Sequence, residues 1–174
     1  KIMANTLFKP FNLVDGVFVN NYVSHKSSFK DFWKWRRESN KPEPITFPIV
    51  ENDPEYLKSN KSENTITWIG HSTFLLQING INILTDPHFT KRASPLSFMG
   101  PSRTTPPGLK IEELPFIDFV LISHNHYDHL DSKTIQLLLK KQNVNQPTFF
   151  IPLKLRDILS KLGARNVIEH EWWQ

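Results

Sequence analysis

The sequence contains no cysteine, and this absence excludes several kinds of chemistry at once. Disulfide frameworks, iron–sulfur clusters, thiol nucleophiles and cysteine-based zinc sites all need a residue that the chain does not have. Any metal ion must therefore be held by histidine, aspartate or glutamate side chains. Two further motifs are absent, the Gly-rich phosphate loop of the Walker type and the Gly-x-Ser-x-Gly nucleophile elbow.

Long apolar runs and strong net charge are absent as well. No stretch approaches the about 18 apolar residues that cross a bilayer, and no signal-peptide pattern opens the chain, so we expect an intracellular protein. Lysine and arginine number 21 against 17 acidic residues, which gives a formal charge of +4 over 174 residues. This mild excess permits an anionic ligand or surface but does not predict binding to nucleic acid.

Two parts of the chain differ in composition. Residues 1–64 are rich in Asn, Lys and Pro and predict an extended arm, whereas residues 65–174 predict the folded domain. Within the arm, Phe29, Phe32 and Trp33 follow helical spacing and have basic neighbours. This pattern is typical of a short helix docked on a domain, or of an interfacial element in peripheral contact with an anionic membrane.

The folded part alternates strands with helices. Apolar alternation on both sides of Asn79-Gly80 predicts a β-hairpin. A continuous apolar strand at 119–122, a helix at 132–141 and a second strand–helix–strand unit over 148–169 follow. This order of buried apolar strands and helices predicts an α/β layer architecture.

The segment 123–131, Ser-His-Asn-His-Tyr-Asp-His-Leu-Asp, concentrates three of the seven histidines directly after an apolar strand. Folds of the α/β class place ligand sites at such positions. In an extended backbone His124 and His126 point the same way and can bind one ion. Asp128 and His129 follow as the chain turns and offer an oxygen and a nitrogen to a second ion. Without thiolate these ligands suit zinc, with iron or manganese as alternatives.

Side chains around this cluster predict supporting roles. Asp86 ends a strand, and we expect it to orient a ligand histidine from behind. His71, at a strand junction, is a candidate for the same supporting role or a structural histidine. Tyr127 is expected either to bond a substrate oxygen or to pack, and Asp131 either joins the site or caps the next helix. The remaining histidines have no partners at ligand spacing: His25, His88 and His170.

The motif His-x-His-x-Asp-His at 124–129 resembles the signature of the metallo-β-lactamase superfamily. Further segments between residues 65 and 173 are similar, in order, to the N-acyl-phosphatidylethanolamine-hydrolysing phospholipase D family and its bacterial relatives. These segments are 67–73 (TWIGHST), 84–87 (LTDP), 92–95 (RASP), 98–101 (FMGP), 114–118 (LPFID), 121–131 (LISHNHYDHLD), 166–169 (NVIE) and Trp172-Trp173.

The resemblance implies an αβ/βα sandwich with two zinc ions that hydrolyses a phosphodiester and releases an N-acylethanolamine and a phosphatidic acid. By position, His124 and His126 correspond to ligands of the first zinc, and Asp128 and His129 to ligands of the second. Asp86 corresponds to a residue of the supporting shell. Asp128 is also the candidate catalytic residue, and a phospholipid is the implied substrate.

Substrate contacts are expected from the loop over residues 89–107. Loops of this length in compact domains are commonly functional. Phe98 and Met99 in this loop, together with Tyr127, are the residues that we expect to contact the lipid headgroup.

Part of the family's ligand set has no counterpart in the sequence. A third histidine, a bridging aspartate and a final histidine are missing, and His170 is the sole histidine after the motif. We therefore expect a fragment, the arm and the first half of the sandwich, with an exposed apolar sheet face and weak zinc binding. Two alternatives stay open. One is another hydrolysis on the same scaffold, of a lactone or phosphate ester, and the other is a non-catalytic module that binds lipid or protein.

Overall fold

A computed structural model of the chain describes residues 13–19, 28–39, 48, 50–96 and 98–171. His25 and the Trp172-Trp173 pair of the resemblance lie outside these residues. The chain divides into two units, of which one comprises 1–44 with 171–174 and the other 45–170. Within the described ranges no helix is both long enough and apolar enough to cross a membrane.

The smaller unit contains a hairpin and a helix. Strands β1 (Leu13–Val14) and β2 (Val17–Phe18) pair in antiparallel fashion, and helix α1 spans Phe29–Glu38, as the aromatic spacing predicts. Ser28 begins the helix through a capping box, because its hydroxyl accepts from the Asp31 backbone N–H while the Asp31 carboxylate accepts from the Ser28 N–H. No residue of α1 is buried.

The larger unit is a six-stranded sheet covered by helices, which confirms the predicted α/β fold. The strands pair in chain order, antiparallel among the first three and parallel from the third onward. They are β3 (Thr65–Gly70), β4 (Thr73–Ile78), β5 (Ile81–Thr85), β6 (Phe119–Leu121), β7 (Thr148–Pro152) and β8 (Val167–His170). The helices are α2 (Pro54–Ser59), α3 (Ser132–Lys141) and α4 (Arg156–Lys161), with a 3₁₀ turn at Ile111–Glu113.

The predicted hairpin turn joins β4 to β5. Asn79 and Gly80 have φ angles of 51° and 77°, so both central residues adopt the left-handed conformation that a two-residue hairpin turn requires. Ile78 consequently pairs with Ile81, and this pairing fixes the register of the two strands. Asparagine and glycine tolerate this conformation, which explains why the sequence predicted the turn correctly.

One face of the sheet forms the hydrophobic core. Strand residues such as Leu75, Leu84 and Phe149 are fully buried, together with Ile135 of α3 and Leu159 of α4. The polar side chains of Gln77 and Asn82 also lie on this face and form a hydrogen bond, in which Gln77 Nε2 donates to Asn82 Oδ1 at 2.9 Å. Gln77 Nε2 also donates to the Leu57 carbonyl at 2.7 Å, so these buried amides join the sheet to α2.

The opposite face is apolar and uncovered in the described part of the chain. Register places Ile66 beside Leu76, Leu76 beside Ile83, and Ile83 beside Phe119, so one continuous row crosses four strands. Ile66 is 73% exposed and Trp68, in the adjacent row, is 61% exposed. The structure therefore contains the exposed apolar sheet face that the sequence led us to expect.

The predicted arm, residues 1–64, is divided between the two units. The larger unit starts at Ile45, and its helix α2 buries Leu57 in the core. Asn60, just after α2, donates to the buried Gln77 side chain at 3.2 Å. Residues 53–60 thus pack with the sheet, because α2 carries a core side chain that the proline-rich composition of the segment concealed.

Candidate metal centre

The candidate metal ligands lie at the carboxyl ends of two neighbouring parallel strands. Thr85 ends β5 beside Leu121 at the end of β6, and the Asp86 N–H donates to the Leu121 carbonyl at 2.8 Å. Asp86 follows β5 and the motif at 123–131 follows β6, so the topology brings together residues nearly forty positions apart. This edge of a parallel sheet is where α/β folds form ligand sites.

Asp86 holds His129 in a defined orientation. The carboxylate is buried and accepts the Ser123 N–H at 2.7 Å and the Ser123 hydroxyl at 2.7 Å. The Nδ1 of His129 lies 2.9 Å from the same carboxylate. Because Asp86 can only accept, His129 carries its proton on Nδ1 and keeps a free lone pair on Nε2, which is the form that binds a metal.

His124 and His126 present their ring nitrogens to each other. The Nε2 of His124 lies 2.9 Å from the Nδ1 of His126. Two imidazole nitrogens bound to one tetrahedral zinc at about 2.0 Å lie about 3.3 Å apart, so a small adjustment suffices for both to share one ion. Burial, followed by the charges of His129 and His126, lowers the pKa of His124. His124 is consequently neutral at neutral pH, as a metal ligand must be.

Asp128 lies between two histidines. Its Oδ2 is 3.0 Å from the His71 Nε2 and 3.7 Å from the His129 Nε2. Burial raises the pKa of Asp128, but a bond from its own backbone N–H and the charges of His129 and His71 outweigh burial, so the pKa is lowered overall. Ligand atoms of His71, Asp128 and His129 all lie within 4.8 Å of one another, a spacing suited to one cation.

His71 reaches this position through an unusual backbone conformation. Its φ is 51°, in the left-handed region that non-glycine residues rarely adopt, and it follows Gly70 at φ 144°. The Trp68 indole N–H donates to the His71 carbonyl at 2.9 Å and supports this turn. Because the turn directs the imidazole toward Asp128, the strain coincides with the candidate site.

The donor set fits a divalent cation of the zinc type. The motif supplies neutral imidazole nitrogens and an ionised carboxylate, and these are the ligands that zinc accepts in the absence of thiolate. Asp86 completes the carboxylate–histidine arrangement that commonly orients metal-bound histidines. The geometry therefore supports a metal-binding role for the motif.

The three predicted substrate contacts lie outside this cluster. Tyr127 is 52% exposed and lines a cavity next to the motif. Phe98 and Met99 are exposed on the loop over residues 89–107. None of the hydrogen bonds and ring contacts described for the chain joins Phe98 or Met99 to the histidines. Their predicted roles rest on exposure and position in the loop.

Ser123 is a site residue that the sequence alone did not indicate. Its hydroxyl donates to Asp86 and lies 2.9 Å from the His124 Nδ1, so one side chain contacts both the supporting carboxylate and a candidate ligand. Ser123 is the first residue of the polar cluster after β6, and this position is the signal that could have identified it. Serine in such a place is otherwise unremarkable in a loop.

Asp131 and His88 have structural positions. Asp131 is the N-cap of α3 and accepts the Lys133 and Thr134 N–H groups, which confirms the capping alternative. His88 is buried, and its carbonyl accepts a bond from the Arg103 Nη2 at 3.1 Å. Burial, and then the Arg103 charge, lowers the pKa of His88, so it is neutral at neutral pH.

Comparisons with known proteins agree with this geometry. The family model of the beta-lactamase superfamily domain matches residues 65–168. An uncharacterised protein of Mycobacterium tuberculosis is 38% identical over 129 residues, which are 73% of this chain and 34% of that protein. N-acyl-phosphatidylethanolamine-hydrolyzing phospholipase D 1 of Caenorhabditis elegans is 40% identical over 112 residues, which are 61% of this chain and 31% of that protein.

A metal-dependent hydrolase of Anaeromyxobacter is 34% identical over 74 residues, which are 42% of this chain and 23% of that protein. The chain spans about a third of the length of the mycobacterial and nematode relatives that it matches. The matched residues include both Asp86 and the motif at 124–129.

Proposed function

The chain belongs to the beta-lactamase superfamily and has the fold of its metal-dependent hydrolases, and on this premise we propose that it contributes zinc ligands to a phospholipase D-type phosphodiesterase. The substrate that we propose is N-acyl-phosphatidylethanolamine, and the products are an N-acylethanolamine and a phosphatidic acid. The nematode relative that carries this activity in its name supports the choice of substrate. Since the chain spans about a third of that relative, the proposal concerns the whole protein that contains it.

The paired arrangement of the histidines and Asp128 is the observation that carries this proposal. His124 and His126 form one pair of ring nitrogens, whereas His129 and Asp128 form a second nitrogen–oxygen pair. The rings of His124 and His129 are 4.0 Å apart between centroids, so the two pairs adjoin. Two adjoining ligand pairs are what a site for two ions requires.

Each residue has a defined task in this proposal. His124 and His126 hold one zinc ion, and Asp128 and His129 contribute to a second. Zinc, when bound, polarises a phosphoryl oxygen and makes water more acidic. Asp86 fixes the His129 ring through its Nδ1 proton. His71 bonds to Asp128 and holds this carboxylate in position, so we assign His71 to a supporting role.

Hydrolysis by the whole protein tests the substrate. We expect dispersed N-acyl-phosphatidylethanolamine to be hydrolysed faster than lactones, with loss of activity on chelation. An Asp128→Ala variant should fold normally and lose activity, because one metal ligand is removed, whereas Asp157→Ala in α4 serves as the matched control. A preference for lactones over the phospholipid would contradict the proposed substrate.

A different hydrolysis on the same scaffold is the second candidate. The similarity to a metal-dependent hydrolase of Anaeromyxobacter favours it, because that name specifies a metal but no lipid. The ligands of the site are compatible with lactones and phosphate esters, since fold and metal ligands do not determine the substrate. The same assay, with these esters as competing substrates, separates the two functions.

Helix α1 supports peripheral contact with a membrane surface, which we include in the proposal. Its aromatic residues Phe29, Phe32, Trp33 and Trp35 are exposed, and their rings contact one another at about 6 Å between centroids. Lys30, Lys34, Arg36 and Arg37 outnumber the acids Asp31 and Glu38 in the same helix. Aromatic rings beside cations suit the headgroup region of an anionic bilayer.

Vesicle co-sedimentation tests this contact. We expect the chain to sediment with vesicles that contain phosphatidylglycerol and less with pure phosphatidylcholine. A Trp33→Ala/Trp35→Ala variant should lose most of this binding, because two exposed indoles are removed from α1. Phe116→Ala, an exposed aromatic of the larger unit, is the matched control. Unchanged sedimentation of the double variant would remove membrane contact from the proposal.

A further inference from the structure

A cationic cavity lies beside the metal motif. It has a volume of about 520 Å³, and its lining includes Lys91, Arg92 and Lys133 together with Tyr127 of the motif. Among the hydrogen bonds and ion pairs of the described residues, none involves the ammonium groups of Lys91 or Lys133. Two exposed lysines and an arginine therefore border the same space.

The loop that carries two of these cations is firmly anchored. Thr90 donates its backbone N–H and its hydroxyl to Asp131, at 3.1 and 2.7 Å. On the other side, the Arg103 N–H donates to the Lys91 carbonyl at 2.9 Å. Asp131 also borders the cavity, but its oxygens are engaged by these donors and by α3, and no acidic group among the described residues forms an ion pair with Lys91 or Lys133.

The same loop also carries exposed apolar side chains beyond the cavity lining, which we call the lip. Leu96, Phe98 and Met99 are all exposed, and the chain then turns back at Gly100, which has a φ of 91°. A Cβ at Gly100 would lie 2.7 Å from the Ser94 Cβ, so this turn requires glycine. The Arg92 Nη1 donates to the Gly100 carbonyl at 2.6 Å, which joins the lip to the cationic wall.

We propose that this cavity binds the phosphoryl group of an anionic amphiphile, with the acyl portion against the lip. The cations supply the charge complementarity that a phosphoryl group needs. Apolar burial at Leu96, Phe98 and Met99 adds affinity that a free phosphate ion does not gain. The site is separate from the metal ligands. It goes beyond the proposed function, because the phosphoryl group held in this cavity is not the one that is hydrolysed at the metal ligands.

Calorimetric titration of the chain in the presence of a chelator tests the site without any contribution from bound metal. The probes are inorganic phosphate, dihexanoyl phosphatidic acid and dihexanoyl phosphatidylcholine below its micelle concentration. We expect phosphatidic acid to bind about tenfold more tightly than phosphate because of the lip, and phosphatidylcholine to bind least. Equal binding of phosphatidic acid and phosphatidylcholine would overturn the proposal.

Paired variants separate the two parts of the site. Lys91→Gln/Lys133→Gln should lower the affinity for phosphate and phosphatidic acid by about tenfold, and Lys91→Arg/Lys133→Arg should retain it. Phe98→Ser/Met99→Ser should lower the affinity for phosphatidic acid and leave the affinity for inorganic phosphate unchanged. The control Lys110→Gln/Lys161→Gln removes two exposed lysines elsewhere in the unit and should leave both affinities unchanged.

A loss in this control as large as in the cavity variant would show non-specific attraction and overturn the site. Unchanged affinity of Lys91→Gln/Lys133→Gln would do the same. Because these titrations exclude metal, their failure is distinguishable from a failure of the zinc-dependent hydrolysis, which is measured on the whole protein.

Discussion

Asp86 links the strands to the candidate ligands at the scale of single residues. Its buried carboxylate accepts three bonds, two from Ser123 and one from His129, and its φ of 36° is strained. Strain of this kind persists only where the surroundings determine the conformation. The ring orientation and the tautomer of His129 follow from this contact, so we expect Asp86 to affect metal binding without being a ligand.

An Asp86→Asn substitution should lower zinc affinity by about 10- to 100-fold with the fold retained. The amide N–H₂ then confronts the His129 Nδ1–H, which shifts the proton to Nε2 and removes the lone pair that binds metal. Asp118→Asn is the matched control, because Asp118 accepts a bond from the Asn82 N–H away from the motif. Equal zinc affinity of Asp86→Asn and wild type, measured by competition with a chelating dye, would contradict this role.

Protonation of His88 should destabilise the metal-free protein in acid. Burial, and then the Arg103 charge, places the pKa of His88 in the folded protein below the ordinary value of 6.5. Between these two pKa values the unfolded chain binds more protons, so the free energy of unfolding falls as the pH drops below about 6.5. Urea unfolding at pH 7 and pH 5 in chelator should show this fall, and His88→Gln should reduce it. An equal pH dependence in His88→Gln would exclude His88 as its source.

Spacing suggested the candidate ligands, and position at strand ends suggested Asp86 and His71 as their support, whereas the contacts that this support makes could not be predicted. His124 and His126 alternate after a strand, and Asp128 with His129 follow at once, so local sequence suffices to suggest the motif. The 3.0 Å approach of His71 to Asp128 depends on a left-handed turn more than fifty residues away. Pairing of β5 with β6, which sets Asp86 beside Ser123, is equally non-local.

At the scale of secondary-structure elements, α3 and the loop before it depend on one side chain. Asp131 caps the helix through the Lys133 and Thr134 N–H groups and also accepts both donors of Thr90. The start of α3 and the position of the loop at Thr90 are therefore coupled through Asp131. Residues of both the helix and the loop line the cationic cavity. An acidic residue at a helix N-terminus is a common pattern, but its second partner forty residues away is visible only in the structure.

Replacing Asp131 with alanine should cost about 2–4 kcal/mol of unfolding free energy, since a helix cap is lost and the half-buried Thr90 and buried Thr134 donors lose their acceptor. The control is Asp53→Ala at the exposed cap of α2, where we expect a loss of about 1 kcal/mol. Urea denaturation of both variants measures the difference. Similar losses in the two variants would show that Asp131 acts as a cap alone.

Strand positions were predictable because alternation has a period of two, but the buried face was not. Ile66, Trp68 and Phe74 alternate as expected of a sheet with an apolar side, yet they lie on the uncovered face. The covered face carries Leu75 and Leu84 but also the polar Gln77 and Asn82. Because both faces of these strands contain apolar residues, the pattern alone cannot tell which face the helices cover.

At the scale of the whole molecule, the larger unit combines a complete core on one face with a bare apolar face on the other. The core joins α2, α3 and α4 to the sheet, so helix packing does not depend on the opposite face. The candidate metal centre lies at the strand ends, where both faces meet. The sequence predicted the order of elements over residues 65–170, and the inclusion of helix α2 became evident only from the burial of Leu57.

Zinc binding by the chain tests the central claim most directly. Dialysis against buffered zinc followed by elemental analysis should detect zinc in the wild-type chain, and a His124→Ala/His126→Ala variant should bind about tenfold less at the same free zinc concentration. His170→Ala, a histidine on β8 outside the motif, is the matched control and should bind as the wild type does. Equal zinc content in all three proteins, each folded by circular dichroism, would show that the motif at 124–129 does not hold the metal.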